Sequence, residues 1–161
     1  MAALGLDDDG AMSEAERILR AGRRVLLVDW PSREVPQALA EAGYAVVVQG
    51  GPAPHAYSSW YLTDGEVRRR DLDGPLDHAD LVYAHRPIDE LPGIVQTALR
   101  LGASAMWRQS GLDSTGSRDP AGCWLSAAES QQGRRLVEAA GLDYIDDVYI
   151  VDAVRALGPD S

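Results

Sequence analysis

The stretch Arg24-Val25-Leu26-Leu27-Val28-Asp29-Trp30-Pro31-Ser32-Arg33 joins a run of four aliphatic residues to a polar turn. The aliphatic run has no polar alternation, which is typical of a parallel strand that is buried on both faces. An apolar helical pattern then resumes from Val35 to Ala42. A buried strand that leads through a tight turn into a helix is the first unit of a doubly wound α/β domain. Such domains bind ligands where the strands end, near the helix N-terminus, so we expect a binding site at residues 29–33.

The rest of the chain repeats this alternation of apolar strands and amphipathic helices. Strands are predicted at residues 24–29, 44–49, 79–84, 103–109 and 144–151, and helices at residues 13–21, 33–42, 91–101 and 128–140, with a short helical tail to residue 157. The expected fold is a Rossmann-like, doubly wound α/β domain, in which a mostly parallel sheet is flanked by helices. We expect residues 13–161 to form this single domain, after a disordered tail at residues 1–12.

A hairpin is expected at one edge of the sheet. Asp64-Gly65 separates two extended segments, and this dipeptide is a strong signal for a type I′ turn. The second strand is polar and carries the run Arg68-Arg69-Arg70, which fits an edge strand, where positive charges discourage further pairing. A polyanion site is the alternative interpretation of this run.

Composition excludes several classes of function. The 161 residues are 45% hydrophobic, which is enough for a core, but 15 basic and 25 acidic residues give a net charge of −10, which argues against a nucleic-acid partner. No run approaches the ~20 apolar residues of a membrane span, and no signal-peptide pattern is present, so we expect a cytoplasmic protein without membrane contact. The single cysteine, Cys123, excludes an internal disulfide, and the three histidines have no ligand spacing, so no metal site is expected.

Polar and cationic groups are concentrated after three of the predicted strands. A strand order of 3-2-1-4-5 makes the loops at residues 29–33 and 85–87 face each other across a crevice, with residues 109–111 beside them. The hydrogen-bonding and cationic side chains of these loops are Ser32, Arg33, His85, Arg86, Gln109 and Ser110.

Each of these signals has a structural alternative. Arg33 at a helix start is unfavourable for the helix dipole unless an anion binds there, but it is also consistent with a merely exposed side chain. Arg86 fits a phosphate or carboxylate ligand, or an ion pair with Asp29 or Asp89. His85 fits either a pocket wall or a rim. Trp30 and Trp107 end strands, where an indole can cover a flat ring, and Trp107 is the better candidate for the core.

Catalytic and dinucleotide motifs are absent from the sequence. It contains no Walker-type loop and no G-x-S-x-G, and Cys123 has no adjacent histidine base. The turn after the first strand contains no glycine, although a dinucleotide fingerprint needs glycines for close approach to the pyrophosphate. We therefore expect no catalytic residues and disfavour ordinary NAD(P) binding.

From about Ser13 to Leu157 the chain resembles small bacterial CoA-binding-domain proteins, stand-alone relatives of the CoA-binding domain of succinyl-CoA synthetase, and the best match lies at residues 79–111. Their pattern is an apolar strand that ends in Phe-Arg, a helix with V-P-x-I-V, and then G-A-K-x-x-W-x-Q-x-G. Here the matching segments are 81–87 (Leu-Val-Tyr-Ala-His-Arg-Pro), 91–95 (Leu-Pro-Gly-Ile-Val) and 102–111, which ends in Trp107-Arg108-Gln109-Ser110-Gly111. Four features depart from the pattern. The turn after the first strand is short and lacks glycine, and the Asn-Pro after the second strand is Gly50-Gly51. The Phe before the Arg is His85, and the common Asp-Arg-Cys near the end is Asp147-Val148-Tyr149.

The resemblance implies binding of CoA, acyl-CoA or a related adenine nucleotide at the carboxyl edge of the sheet. Of the binding residues, Arg86, Gln109 and Gly111 match the family pattern, and Ser32 and Arg33 correspond to it only by position. Together with the loops at the crevice, the full set of expected binding residues is Asp29, Trp30, Pro31, Ser32, Arg33, Gly50, Gly51, His85, Arg86, Pro87, Gln109, Ser110 and Gly111. The insertion at residues 112–126 is expected to act as a lid over this ligand, or else as a surface loop held by Trp124.

Two rival functions stay open. One is a degenerate domain that regulates or binds another protein, with a homodimer or a protein partner. The other is an enzyme that uses Asp29 or His85 as acid or base.

Overall fold

The computed structural model describes residues 14–28, 33–49, 57–72, 76–86, 88–108, 127–146 and 148–157. The predicted tail at residues 1–12 and the insertion at residues 112–126 lie outside these ranges. The described helices are α1 (Glu14–Ala21), α2 (Glu34–Glu41), α3 (Leu91–Arg100), α4 (Ala127–Ala139) and α5 (Ile150–Ala156), with a 3₁₀ turn at Ile88–Glu90. The described strands are β1 (Arg24–Val28), β2 (Ala45–Gln49), β3 (Tyr57–Thr63), β4 (Glu66–Leu72), β5 (Leu81–Ala84), β6 (Ala105–Arg108) and β7 (Asp143–Ile145).

The strands form one seven-stranded sheet in the order β4-β3-β2-β1-β5-β6-β7. Strands β2, β1, β5, β6 and β7 are parallel to one another, and the antiparallel hairpin of β3 and β4 joins the sheet beside β2. This arrangement confirms the predicted Rossmann-like class. It also confirms that β1 lies between β2 and β5, so that the order of the strands along the chain reverses at β1.

Both faces of the sheet are covered by helices. Val25 and Leu27 of β1 pack with α1, α2 and α5 on one face, while Leu26 between them packs with α3 and α4 on the other. All three side chains are 0–1% exposed. This burial on alternate faces explains why β1 is an unbroken aliphatic run instead of an alternating one.

The predicted hairpin is confirmed and is formed by strands β3 and β4. Asp64 and Gly65 have positive φ angles of 51° and 77°, as both central residues of a type I′ turn require. Strand β4 is the last strand of the sheet, and its Arg68 and Arg69 pair with Glu66 and Asp71 at 2.9 and 3.1 Å. These short-range pairs favour a solvated edge strand over a polyanion site.

The strand predicted at residues 144–151 is wrong over its second half. Strand β7 ends at Ile145, and α5 begins at Ile150. Ile150, Val151 and Val154 are buried on one side of α5, with the i, i+1, i+4 spacing of a helix face. The prediction assigned the two-residue period of a strand to apolar residues that have the spacing of a helix.

One carboxylate holds the amino edge of the sheet together. Oδ2 of Asp80 accepts hydrogen bonds from the backbone N–H groups of Arg23 and Arg24 at 2.8 and 2.9 Å, and Oδ1 lies 2.9 Å from Nε2 of His78. Burial alone raises the pKa of Asp80, but these hydrogen bonds outweigh it and the pKa is lowered overall. Asp80 therefore ties the start of β1 to the start of β5.

None of the helices in the described part of the chain has the length and hydropathy of a transmembrane span.

Candidate functional site

The loops after β1 and β5 leave the sheet side by side. The backbone N–H of His85 donates to the carbonyl oxygen of Val28 at 3.1 Å, so the pairing of β5 with β1 continues one residue beyond the strand. Because parallel strands end at the same edge, the carboxyl ends of β1, β5 and β6 border one region, which we call the carboxyl-edge crevice. Three of the thirteen predicted binding residues, Arg33, His85 and Arg86, lie in the described part of the chain, and of these His85 and Arg86 border the crevice.

The other ten predicted residues lie outside the described residues. They are Asp29, Trp30, Pro31, Ser32, Gly50, Gly51, Pro87, Gln109, Ser110 and Gly111. Their participation in a site stays a prediction.

Arg86 is half-buried and forms a two-point ion pair with Glu90. Its Nε and Nη2 donate to the two carboxylate oxygens at 2.9 and 2.6 Å, which is the geometry that a guanidinium also offers to a phosphate. The hydrogen bond from Arg86 lowers the pKa of Glu90, against the opposing effect of burial. The structural alternative for Arg86 was an ion pair with Asp29 or Asp89; the partner shown among the described residues is Glu90, and Asp29 lies outside them.

Arg33 is directed to the other side of β1. It lies at the N-terminus of α2, and its guanidinium carbon is 4.9 Å from the centre of the Trp60 ring on β3. This is the distance of a cation–π contact. Strands β1 and β2 separate β3 from β5, so Arg33 and Arg86 do not converge in this structure.

A buried arginine that was not predicted ends strand β6. Arg108 is 0% exposed, and its guanidinium donates to the carbonyl oxygen of Arg86 and, at 2.8 Å, to Glu129 in the first turn of α4. The preceding residue, Trp107, is fully buried as expected, and its Nε1 donates to the carbonyl oxygen of Val148 at 2.9 Å. A charged residue that ends a buried strand was the signal for Arg108, but the predicted strand extended to residue 109 and hid it.

A polar cluster continues from Arg108 beneath α4. Asp146 is 7% exposed and accepts a 2.6 Å hydrogen bond from the hydroxyl of Ser130. The Tyr144 hydroxyl lies near Asp146 and Arg108 but makes no hydrogen bond of standard geometry among the described residues. Burial, and then the Asp146 carboxylate, raise the pKa of Tyr144 well above its ordinary value. This hydroxyl is therefore a poor acid or base near neutral pH.

Two clefts among the described residues lie elsewhere. One, of about 390 Å³, opens between the N-terminus of α1 and α5, with Arg134, Ile145 and Asp152 in its wall. The other, of about 340 Å³, lies at the amino edge beside Arg20 and Tyr44. Neither is lined by a predicted binding residue. Within the described ranges, no three His, Cys, Asp or Glu side chains come together as metal ligands would.

The sheet order and the two helical layers define the chain as a Rossmann-like α/β domain with its strand reversal beside β1. The chain belongs to the family described as the CoA binding domain, whose model matches residues 25–153. Residues 25–153 include all the described strands except the first residue of β1, and they include the residues of the carboxyl-edge crevice. The expected family is thereby confirmed.

Individual relatives agree with this family and with the fold. The chain is 26% identical over 106 residues to the uncharacterized protein YneT of Bacillus subtilis (strain 168), a match that covers 62% of this chain and 73% of YneT. Among solved structures, cell-free ID.343 from Thermus thermophilus is similar, with a TM-score of 0.52, 21% identity and coverage of 89% of this chain and 96% of that one. Prb, described as the PH1109 protein redesigned for binding, has a TM-score of 0.58 and 19% identity, with coverage of 98% and 96%.

Proposed function

We propose that this protein binds CoA or an acyl-CoA at the carboxyl-edge crevice, as a single domain of residues 13–161. The observation that carries the proposal is the parallel pairing of β1 with β5 at the point where the strand order reverses. In open α/β sheets this is where ligands bind, because the loops on the two sides diverge and leave space between them. Membership of the CoA binding domain family supports the ligand class.

Arg86 is proposed as the group that binds a phosphate of the ligand. Its guanidinium is already arranged to hold two oxygens of one acceptor, since both oxygens of Glu90 are bound in this way. With 37% of its side chain exposed, Arg86 is accessible from solvent. A phosphate that replaces Glu90 would therefore keep the same forked geometry and add charge.

The undescribed loops are proposed to complete the site. Residues 29–32 follow β1, and residues 109–111 follow β6, so both segments start at the edge from which His85 and Arg86 emerge. Gly50 and Gly51 follow β2 at this edge. We propose that these segments contact the nucleotide part of the ligand and that the insertion at residues 112–126 folds over it as a lid.

Ligand-dependent melting tests the proposal. CoA and acetyl-CoA should raise the melting temperature, and NAD should raise it less, because the turn after β1 lacks the glycines of a dinucleotide site. Ligand at 100 times its dissociation constant adds about 2.7 kcal/mol of stability, which is several degrees for a domain of this size. If CoA, acetyl-CoA, ADP and NAD at millimolar concentration all leave the melting temperature unchanged, a protein-interaction module becomes the better reading.

A matched pair of variants locates the site. Arg86→Lys should weaken CoA binding in calorimetry, because lysine loses the forked geometry. Arg20→Lys is the control, since Arg20 also pairs with a glutamate four residues away and is similarly exposed, at 41%, but lies towards the amino edge. Equal affinities in the two variants would contradict a phosphate contact by Arg86.

A further inference from the structure

The carboxyl end of β6 carries an arginine at a position where burial is costly. Arg108 is 0% exposed, although a guanidinium has five N–H donors and is strongly hydrated in water. Its Nη1 is buried and has no hydrogen-bond partner among the described residues. An aliphatic side chain would fill the same space without leaving a donor unsatisfied, so packing alone does not account for an arginine here.

The donors that Arg108 does use converge on one backbone atom. Nε and Nη2 both donate to the carbonyl oxygen of Arg86, at 3.3 and 3.1 Å, and Nη2 also contacts Glu129, which is 34% exposed. On the opposite side of this segment, the N–H of His85 is bound to the carbonyl oxygen of Val28. The backbone at residues 85–86 is thus held from β1 and from β6 together.

We propose that Arg108 is a positioning residue, which holds the Arg86 backbone so that the Arg86 side chain faces the phosphate of the ligand. This inference rests on the proposed function of the crevice. Arg108 acts through the carbonyl oxygen of Arg86, while Glu129 balances its charge from the first turn of α4. The arginine is therefore explained by the loop that it orders.

Calorimetry with CoA tests the role in the full-length protein. Arg108→Met should weaken CoA binding about tenfold, because the Arg86 carbonyl loses its donors and the loop loses its orientation. Arg134→Met is the matched control: Arg134 covers the ring of Tyr144 in the same region but pairs with Glu138, so its loss should change affinity less than twofold. Arg108→Lys keeps the charge and serves as the second variant if the methionine variant does not fold.

A double variant separates positioning from general stability. If Arg108 acts through Arg86, the Arg86→Met, Arg108→Met protein should bind CoA no more weakly than Arg86→Met alone. Additive losses would show that Arg108 contributes independently of Arg86 and would overturn the proposal.

Hydrogen exchange supplies a readout that needs no ligand. The backbone amides of residues 85, 86 and 88–91 should exchange faster in Arg108→Met than in the wild type. In Arg134→Met their exchange rates should be unchanged. If the wild type binds no CoA, the proposed function fails while this measurement still decides whether Arg108 orders the loop. Unchanged exchange of this segment in Arg108→Met overturns the inference.

Discussion

Gly133 in the middle of α4 is the position where one added carbon tests the packing of the polar cluster. A Cβ at this position would lie 2.6 Å from the Tyr144 hydroxyl oxygen and 3.2 Å from its Cζ. A contact of 2.6 Å is too short for a carbon and an oxygen, and both groups are attached to buried, packed elements. We therefore expect Gly133→Ala to destabilise the protein, although alanine is the better helix former.

The magnitude follows from two opposing effects. Replacing glycine by alanine inside a helix stabilises it by about 1 kcal/mol, whereas overpacking a closed core costs about 1–3 kcal/mol. Gly93 in α3 provides the reference, because an added Cβ there meets nothing within 4 Å. Gly93→Ala should stabilise by about 0.5–1 kcal/mol, so the two variants should differ by about 1–3 kcal/mol. In melting temperature this is a separation of about 2–12 °C.

Urea unfolding of four proteins measures the effect. They are Gly133→Ala, Gly93→Ala, Tyr144→Phe and the double variant Gly133→Ala, Tyr144→Phe. Removing the hydroxyl leaves the 3.2 Å contact with Cζ and an ordinary 3.5 Å contact with Cδ2 of Leu91, so the double variant should recover most of the stability that Gly133→Ala loses. If Gly133→Ala is as stable as Gly93→Ala, the Tyr144 hydroxyl does not occupy the space against α4, and the reasoning about this cluster is wrong.

Two further predictions concern carboxylates with lowered pKa values. Glu90→Gln should tighten CoA binding about 1.4- to fivefold in calorimetry, because an exposed ion pair of about 0.2–1 kcal/mol no longer competes for Arg86. Glu138→Gln, which breaks a similar i,i+4 pair in α4, should leave affinity unchanged. Asp80→Leu should lower the free energy of unfolding by about 2–3 kcal/mol, since two backbone N–H groups lose a charged acceptor, while Asp80→Asn keeps one oxygen and should lose less. Because the folded pKa of Asp80 is lowered, the stabilisation that its carboxylate provides is present above about pH 4 and disappears as the pH falls through the folded pKa. The free energy of unfolding of Asp80→Asn should therefore fall less steeply in acid than that of the wild type. Identical acid profiles of the two proteins would contradict this.

The fold was predictable because its signals are local and repeated. Aliphatic runs such as Val25–Val28 indicate strands buried on both faces, and Asp64-Gly65 indicates the edge hairpin by turn chemistry alone. The wrong strand prediction at residues 146–151 arises because a local signal can also be ambiguous. A short apolar segment fits both periods, and only contact with the rest of the core makes Ile150 and Val151 part of a helix.

The candidate site was less predictable because it depends on which side chains meet. The sequence indicates that Arg86 ends a buried strand, but the choice of Glu90 as its partner depends on the 3₁₀ turn between them. Arg33 was expected in the crevice, and its contact with Trp60 arises because β3 joins the sheet beside β2. The proposed role of Arg108 depends on a contact between the end of β6 and the carbonyl oxygen of Arg86, which is 22 positions earlier in the chain. No local sequence pattern encodes such a contact.

These contacts explain how a chain with a net charge of −10 can be suited to an anionic ligand. The cations at the carboxyl edge are each held by a group of the protein: Arg86 by Glu90 and Arg108 by Glu129, while Arg33 stacks on Trp60. On the proposed function, an arriving phosphate would exchange with the Glu90 carboxylate that pairs with Arg86, while the buried Arg108 would keep its contacts with Glu129 and the Arg86 carbonyl oxygen. Affinity would then depend on the difference between a phosphate and Glu90 as partners of Arg86, which is why the glutamate is as informative a target for mutation as the arginine.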